Sequence, residues 1–163
     1  MSNSKKEFYD IYNEFYQNDK YKRLREDVHH GLSKMKHIER VARYSFYISK
    51  MLKMDYMSAT RGAFLHDFFL NEEVDKSNFK HYLELHPNVA LKNAIENFNI
   101  NNIEKDIISK HMYPISKKTP TYRETLVVSI CDKVASIYEF FRYQLKMTAT
   151  VTALFIINVM KQL

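Results

Sequence analysis

Residues 37–52 read HIERVARYSFYISKML. Apolar and small side chains fall at Ile38, Val41, Ala42, Ser45, Ile48, Ser49 and Leu52, in steps of three and four that line one face of an α-helix. Gly31 punctuates the chain just before this run, and Ser33 is of a type that caps helices, so a helix is expected from there to about Lys53.

The same period recurs on both sides. Phe8, Ile11, Tyr12, Phe15 and Tyr16 predict a first helix over residues 5–17, and the charged stretch 18–27 predicts a short second one. Ser58 is the expected cap of a helix over 59–68, in which Gly62 permits close packing. Residues 71–78 read as a loop. Pro87 suits the first turn of a further helix carrying Val89, Ala90, Ala94, Ile95 and Phe98. Asn101 or Asn102 is expected to cap the next, which holds Ile103, Ile107, Ile108 and His111. After a loop bracketed by Pro114 and Pro120, helices are expected over 122–141 and 148–161. With only 2 glycines and 3 prolines there is little turn chemistry for a β-fold. The expectation is an all-α, single compact bundle of about seven helices spanning 1–163.

At 163 residues the chain is long enough to bury a core without staples. Its one cysteine, Cys131, excludes an internal disulfide and is expected to be a small buried hydrophobe. The polar start lacks the apolar stretch of a signal peptide. The apolar stretch 149–160 is interrupted by Thr152 and Asn158 and falls short of the ~20 residues a spanning helix needs. A cytoplasmic protein with no membrane partner is expected. The net charge of +6 is scattered among acids, which argues against duplex nucleic acid and suits a small anionic, phosphate-bearing partner.

Chemistry concentrates in six residues: His37, His66, Asp67, His86, His111 and Asp132, with gaps of 28, 18, 24 and 20 residues between the successive groups. Imidazole and carboxylate suit Zn, Fe, Mn and related ions, and six such ligands are enough to surround two. His37 is expected to open a helix, His66 and Asp67 to close one, His86 to precede one and His111 to close another. Asp132 stands among Val128, Ile130, Cys131 and Val134, where a carboxylate is costly to bury unless paired or metal-bound. Taken singly, each of these histidines is more often a packing or surface residue, and an ion-paired structural core without metal is the bland alternative. His81 is expected to be solvated, and one of His29 and His30 to border the pocket.

Their order, with the stretches His37-Ile38-Glu39-Arg40-Val41, Phe64-Leu65-His66-Asp67 and Ile130-Cys131-Asp132-Lys133, resembles the HD-domain metal-dependent phosphohydrolases over about residues 32–138. The variant resembled carries two extra histidines between the HD pair and the last aspartate, as in bacterial diadenosine tetraphosphate hydrolases. The resemblance implies that His37, His66, Asp67 and Asp132 hold one divalent metal ion. His86 and His111 would complete a second position with Asp67 shared. Fe or Mn is favoured by the family's habit, while Zn, Ni, Co and Mg stay open. It further implies hydrolysis of a phosphoester or phosphoanhydride bond of a small phosphorylated substrate, with a nucleotide as the favoured class, by metal-activated water. Asp67 would be the catalytic carboxylate.

Arg40, one turn beyond His37, and Lys133 are the candidate substrate-binding cations, with surface charge as the alternative for each. Lys110, Lys117, Lys118 and Arg123 are further phosphate candidates, and Tyr113 a candidate for stacking on a base. The chain departs from several subfamilies at Phe69-Leu70, where others carry lysine, glutamate or a Glu-Asp pair. It also lacks both the longer glycine-rich signature of the cyclic-dinucleotide enzymes and a histidine close after the HD pair. The substrate subfamily is therefore open. A non-catalytic metal- or nucleotide-binding regulatory module on the same scaffold is the alternative. A homodimer face on the N-terminal helix or the apolar C-terminal segment is the alternative to burial of those helices in the monomer.

Overall fold

The computed structural model describes residues 3–29, 32–75 and 77–160. They form seven α-helices: α1 (Asn3–Tyr16), α2 (Asp19–Arg23), α3 (Lys34–Met51), α4 (Tyr56–Leu65), α5 (Phe79–Asn97), α6 (Asn102–Lys110) and α7 (Arg123–Met160). A 3-10 turn at Asn71–Glu73 and a two-residue antiparallel ladder, β1 (Val28–His29) with β2 (Leu32–Ser33), are the other regular elements described. The expected all-helical bundle is what forms. The expectation for His29 and His30 falls on side chains outside the described ones.

Helix α4 is the central element, packing against α3, α6, α7 and α1. Phe8, Ile11 and Phe15 of α1, at steps of three and four, bury one stripe. The rings of Phe8 and Phe15 lie 5.4 and 5.6 Å from that of Phe64. Burying each such side chain stabilises the fold by about 2–3 kcal/mol. Tyr21 is wholly buried and donates its hydroxyl to the Phe64 carbonyl at 3.1 Å, so α2 is tied to the end of α4. Gly62 lets α4 approach α6 closely: a β-carbon there would sit 2.7 Å from Ile107 Cδ1.

Four local expectations need correction. The buried face of α3 is Ile38, Val41, Ala42, Ser45, Phe46 and Ser49, while Ile48 and Leu52 face solvent, because the core lies nearer Phe46 than the apolar pattern alone implies. Asp55, not Ser58, caps α4; its carboxylate accepts from Ser58 N at 3.0 Å and Ser58 Oγ at 2.7 Å. Asn78 caps α5, which starts eight residues before Pro87, so Pro87 and His86 lie inside a helix. The proline N cannot donate to the carbonyl four residues back. Nearby side chains engage the helix carbonyls: His86 Nδ1 donates to Tyr82 O at 2.8 Å and Asn88 Nδ2 to Glu84 O at 3.1 Å. Finally, α7 runs unbroken through residues 142–147, where neither glycine nor proline interrupts it. Asn101 caps α6 as expected, in a reciprocal box with Glu104.

Candidate metal centre

Five helices deliver the six predicted ligands, all of them buried. His37 lies in the first turn of α3, His66 is the C-cap of α4 with Asp67 following, and His111 is the C-cap of α6. His86 comes from the middle of α5, at the Pro87 irregularity, and Asp132 from the third turn of α7.

They converge as two triads. His37, His66 and Asp132 form one, and Asp67, His86 and His111 the other, with the ligand atoms of each within 4.8 Å of one another. His37 Nε2 is 3.2 Å and His66 Nε2 3.9 Å from Asp132 Oδ1. The Nε2 atoms of His86 and His111 are 3.6 and 3.7 Å from Asp67 Oδ1 and 3.1 Å from each other. Asp67 Oδ2 turns the other way, 3.8 Å from His66 Nε2. One carboxylate thus addresses both triads, a bridging position.

The far side of every imidazole is pinned. Nδ1 of His66, His86 and His111 meets the carbonyls of Ala63, Tyr82 and Ile108 at 2.7, 2.8 and 3.0 Å. His37 Nδ1 meets the Glu139 carboxylate at 3.0 Å. Carbonyls accept only, so Nδ1 carries the proton in His66, His86 and His111 and Nε2 turns its lone pair inward, the arrangement typical of metal-bound histidines. The His37 ring lies between two carboxylates, Glu139 at Nδ1 and Asp132 at Nε2. Burial pushes His111 down to about 3, helped by the neighbouring His66 and His86, and burial lowers His86 as well. Both imidazoles are therefore neutral near pH 7, the state a metal ligand requires. Burial works to raise Asp132, but the His37 hydrogen bond and the His66, His37 and Lys133 charges outweigh it and hold the carboxylate well below its usual range.

His66 Nε2 is buried with no hydrogen-bond partner among the described residues. Such an atom costs about 1–3 kcal/mol unless something satisfies it, and a cation in the first triad would do so. The donor set, four imidazoles and two carboxylates with no thiolate, fits a hard to borderline divalent ion.

Glu139 was not foreseen. It is wholly buried on α7, holds His37 and also binds the Arg40 guanidinium. The available signal was spacing: it lies seven residues beyond Asp132, two turns along the same helix face. Arg40 is thus engaged with Glu139, 5.0 Å from the centre of the Tyr138 ring. Lys133 donates to the His111 carbonyl, to Asp132 Oδ2 at 3.2 Å and to Ser129 Oγ at 3.3 Å. Among the other cations, Lys110 binds Asp106 and Thr121, and Lys118 donates to Asn88 Oδ1 at 2.9 Å. His81 is exposed, Cys131 is buried and Tyr113 is half-buried.

Beside α5 lies a cleft of about 810 Å³ whose walls include Phe79, Leu83, Glu84, Pro87, Ile115, Lys117 and Lys118. None of the six ligands lines it, although Pro87 follows His86 directly. No helix among the described residues is long and apolar enough to cross a membrane. No protein-family model, curated protein or solved structure matches the chain.

Proposed function

We propose that this protein is a metal-dependent phosphohydrolase of the HD kind, cleaving a phosphoester or phosphoanhydride bond in a small phosphorylated substrate, with nucleotides the favoured class. The observation that carries this reading is the convergence of two buried His/Asp triads whose imidazoles all point Nε2 inward. His37, His66 and Asp132 would hold one divalent cation and His86, His111 and Asp67 the other, iron or manganese being favoured by the resemblance alone. When bound, such ions polarise a phosphoryl group and make water a stronger nucleophile at neutral pH.

The chain's own groups do the rest. Asp67, with one oxygen toward each triad, is placed to orient the attacking water and accept its proton. The three helix carbonyls keep His66, His86 and His111 in one tautomer, and Glu139 orients the His37 ring. The cleft beside α5, lined by Phe79, Leu83, Pro87 and Ile115 together with polar groups that include Lys117, Lys118 and Glu84, would suit a substrate that joins an apolar body to phosphate.

One observation favours a second reading, a metal- or nucleotide-binding regulatory module without turnover. Arg40 and Lys133, the two expected phosphate cations, are both engaged by protein groups. A panel of nucleotides, dinucleoside polyphosphates and simple phosphoesters, assayed with Mn or Fe, distinguishes the two. Turnover that disappears in His66→Ala and Asp67→Ala supports the enzyme; turnover that survives both substitutions contradicts it; metal binding with no turnover on any substrate favours the module.

A further inference from the structure

From Phe140 to the end of α7 every described side chain is exposed, and those of α7 in solvent include many large apolar ones. Ile137 is 57 % exposed, Val151 60 % and Leu154 62 %. Their spacing is regular: Ile130, Ile137, Gln144 and Val151 recur every seven residues, and so do Phe140, Met147 and Leu154. Interleaved at steps of three and four, the two series make the seam of a left-handed coiled coil, an apolar stripe that a single helix leaves uncovered. Arg142 and Lys146 fall outside the seam, and Glu139 is turned into the bundle toward His37.

We propose that α7 is a dimerisation helix, pairing with a second copy of itself as an antiparallel coiled coil whose two-fold axis passes between Leu145 and Lys146. Self-pairing follows from the matching of layers. With that axis Ile137 faces Leu154 of the second copy, Phe140 faces Val151 and Gln144 faces Met147, and the same three layers recur on the other side of the axis. Each large residue of the bundle-proximal half meets an aliphatic one of the distal half.

A parallel pair would stack Phe140 on Phe140 and Lys133 on Lys133, and would bring both bundles to one end. Residues 130–160 span about 45 Å at 1.5 Å per residue. Half-exposed side chains of this size offer on the order of 100 Å² each, so the seam and its flanks reach about 800 Å² per chain, what a specific pair needs. The pairing is independent of metal binding or turnover, since no seam residue is a ligand.

Light scattering on the full chain across a concentration series tests it. The expected mass is twice the 19.6 kDa of one chain. It should halve in Ile137→Glu and in Leu154→Glu, both exposed positions whose substitution leaves the helical circular dichroism of the bundle in place. For orientation, mixing Ile137→Cys chains with Leu154→Cys chains should give a mixed disulfide, while each alone gives none; Cys131 is buried and takes no part. A wild-type monomer at every concentration overturns the proposal, as does a dimer unaffected by both glutamates. Ready self-crosslinking at Ile137→Cys overturns the antiparallel arrangement, and a monomer that instead co-sediments with anionic phospholipid vesicles assigns the stripe to a membrane surface.

Discussion

His37 Nδ1 and the Glu139 carboxylate stand 3.0 Å apart across 102 residues of chain, both buried. The contact fixes the ring that belongs to the first triad and ties the start of α3 to α7. Glu139→Gln keeps shape and a hydrogen bond but removes the charge that would strengthen His37 as a ligand on the proposed reading. Outer-shell changes of this kind typically lower metal affinity 10–100-fold. A competition titration against a chromophoric chelator should show a loss of about tenfold or more with the helical signal intact. Unchanged affinity would mean that His37 holds no metal.

Gly62 packs where a β-carbon would meet Cδ1, Cγ2 and Cβ of Ile107 at 2.7, 2.9 and 3.0 Å. Alanine favours a helix over glycine by about 1 kcal/mol, but Ile107 is wholly buried and stiff, so the clash dominates. Gly62→Ala should therefore lose about 1–2 kcal/mol in urea unfolding, part of it regained by Ile107→Val. A more stable Gly62→Ala chain would show that α4 and α6 sit further apart.

Asp106 accepts from Thr121 N at 2.9 Å, Tyr122 N at 3.3 Å and Thr125 Oγ1 at 2.7 Å, and pairs with Lys110, anchoring the start of α7. Burial works to raise it, but these bonds from Lys110, Thr125 and Thr121 prevail and lower the carboxyl from 3.8 to about 2. A carboxyl depressed on folding contributes stability above its unfolded value and loses it as the pH falls toward the folded one. The contribution, about 1 kcal/mol after screening by nearby water, should fade between about pH 4 and pH 2. Asp106→Asn should destabilise the wild-type fold at pH 7 and by less near pH 2, as read by thermal unfolding. An equal loss at both would contradict this assignment.

The six candidate ligands, which the fold brings together, could be picked out in the sequence because each is an imidazole or carboxylate set in or beside an apolar run, where water alone would be a poor partner. Asp132 among Val128, Cys131 and Val134 is the clearest instance. Glu139 was missed although it too stands in an apolar run, Ile137 to Phe141, and seven residues beyond Asp132; Ile137, Tyr138, Phe140 and Phe141 are exposed, so that run does not by itself mark a buried face. Pro87 misled because proline is at home in a first turn, and its place inside α5 rests on tertiary packing together with the local His86 and Asn88 bonds. The unbroken α7 was missed because Arg142 to Met147 are polar enough to suggest a loop, yet they are good helix formers. Arg40 and Lys133 were placed near the right elements, but which acceptors they would take depends on contacts 99 and 22 residues away.

The account turns on two buried triads able to hold cations. Elemental analysis of purified chain, loaded with Mn or Fe and freed of loose ion, measures this directly. The prediction is about two equivalents per chain, with a clear reduction in His66→Ala and in Asp67→Ala. Wild-type chain that retains no stoichiometric metal under any loading condition would contradict it, and leave the histidines as ion-paired members of the core.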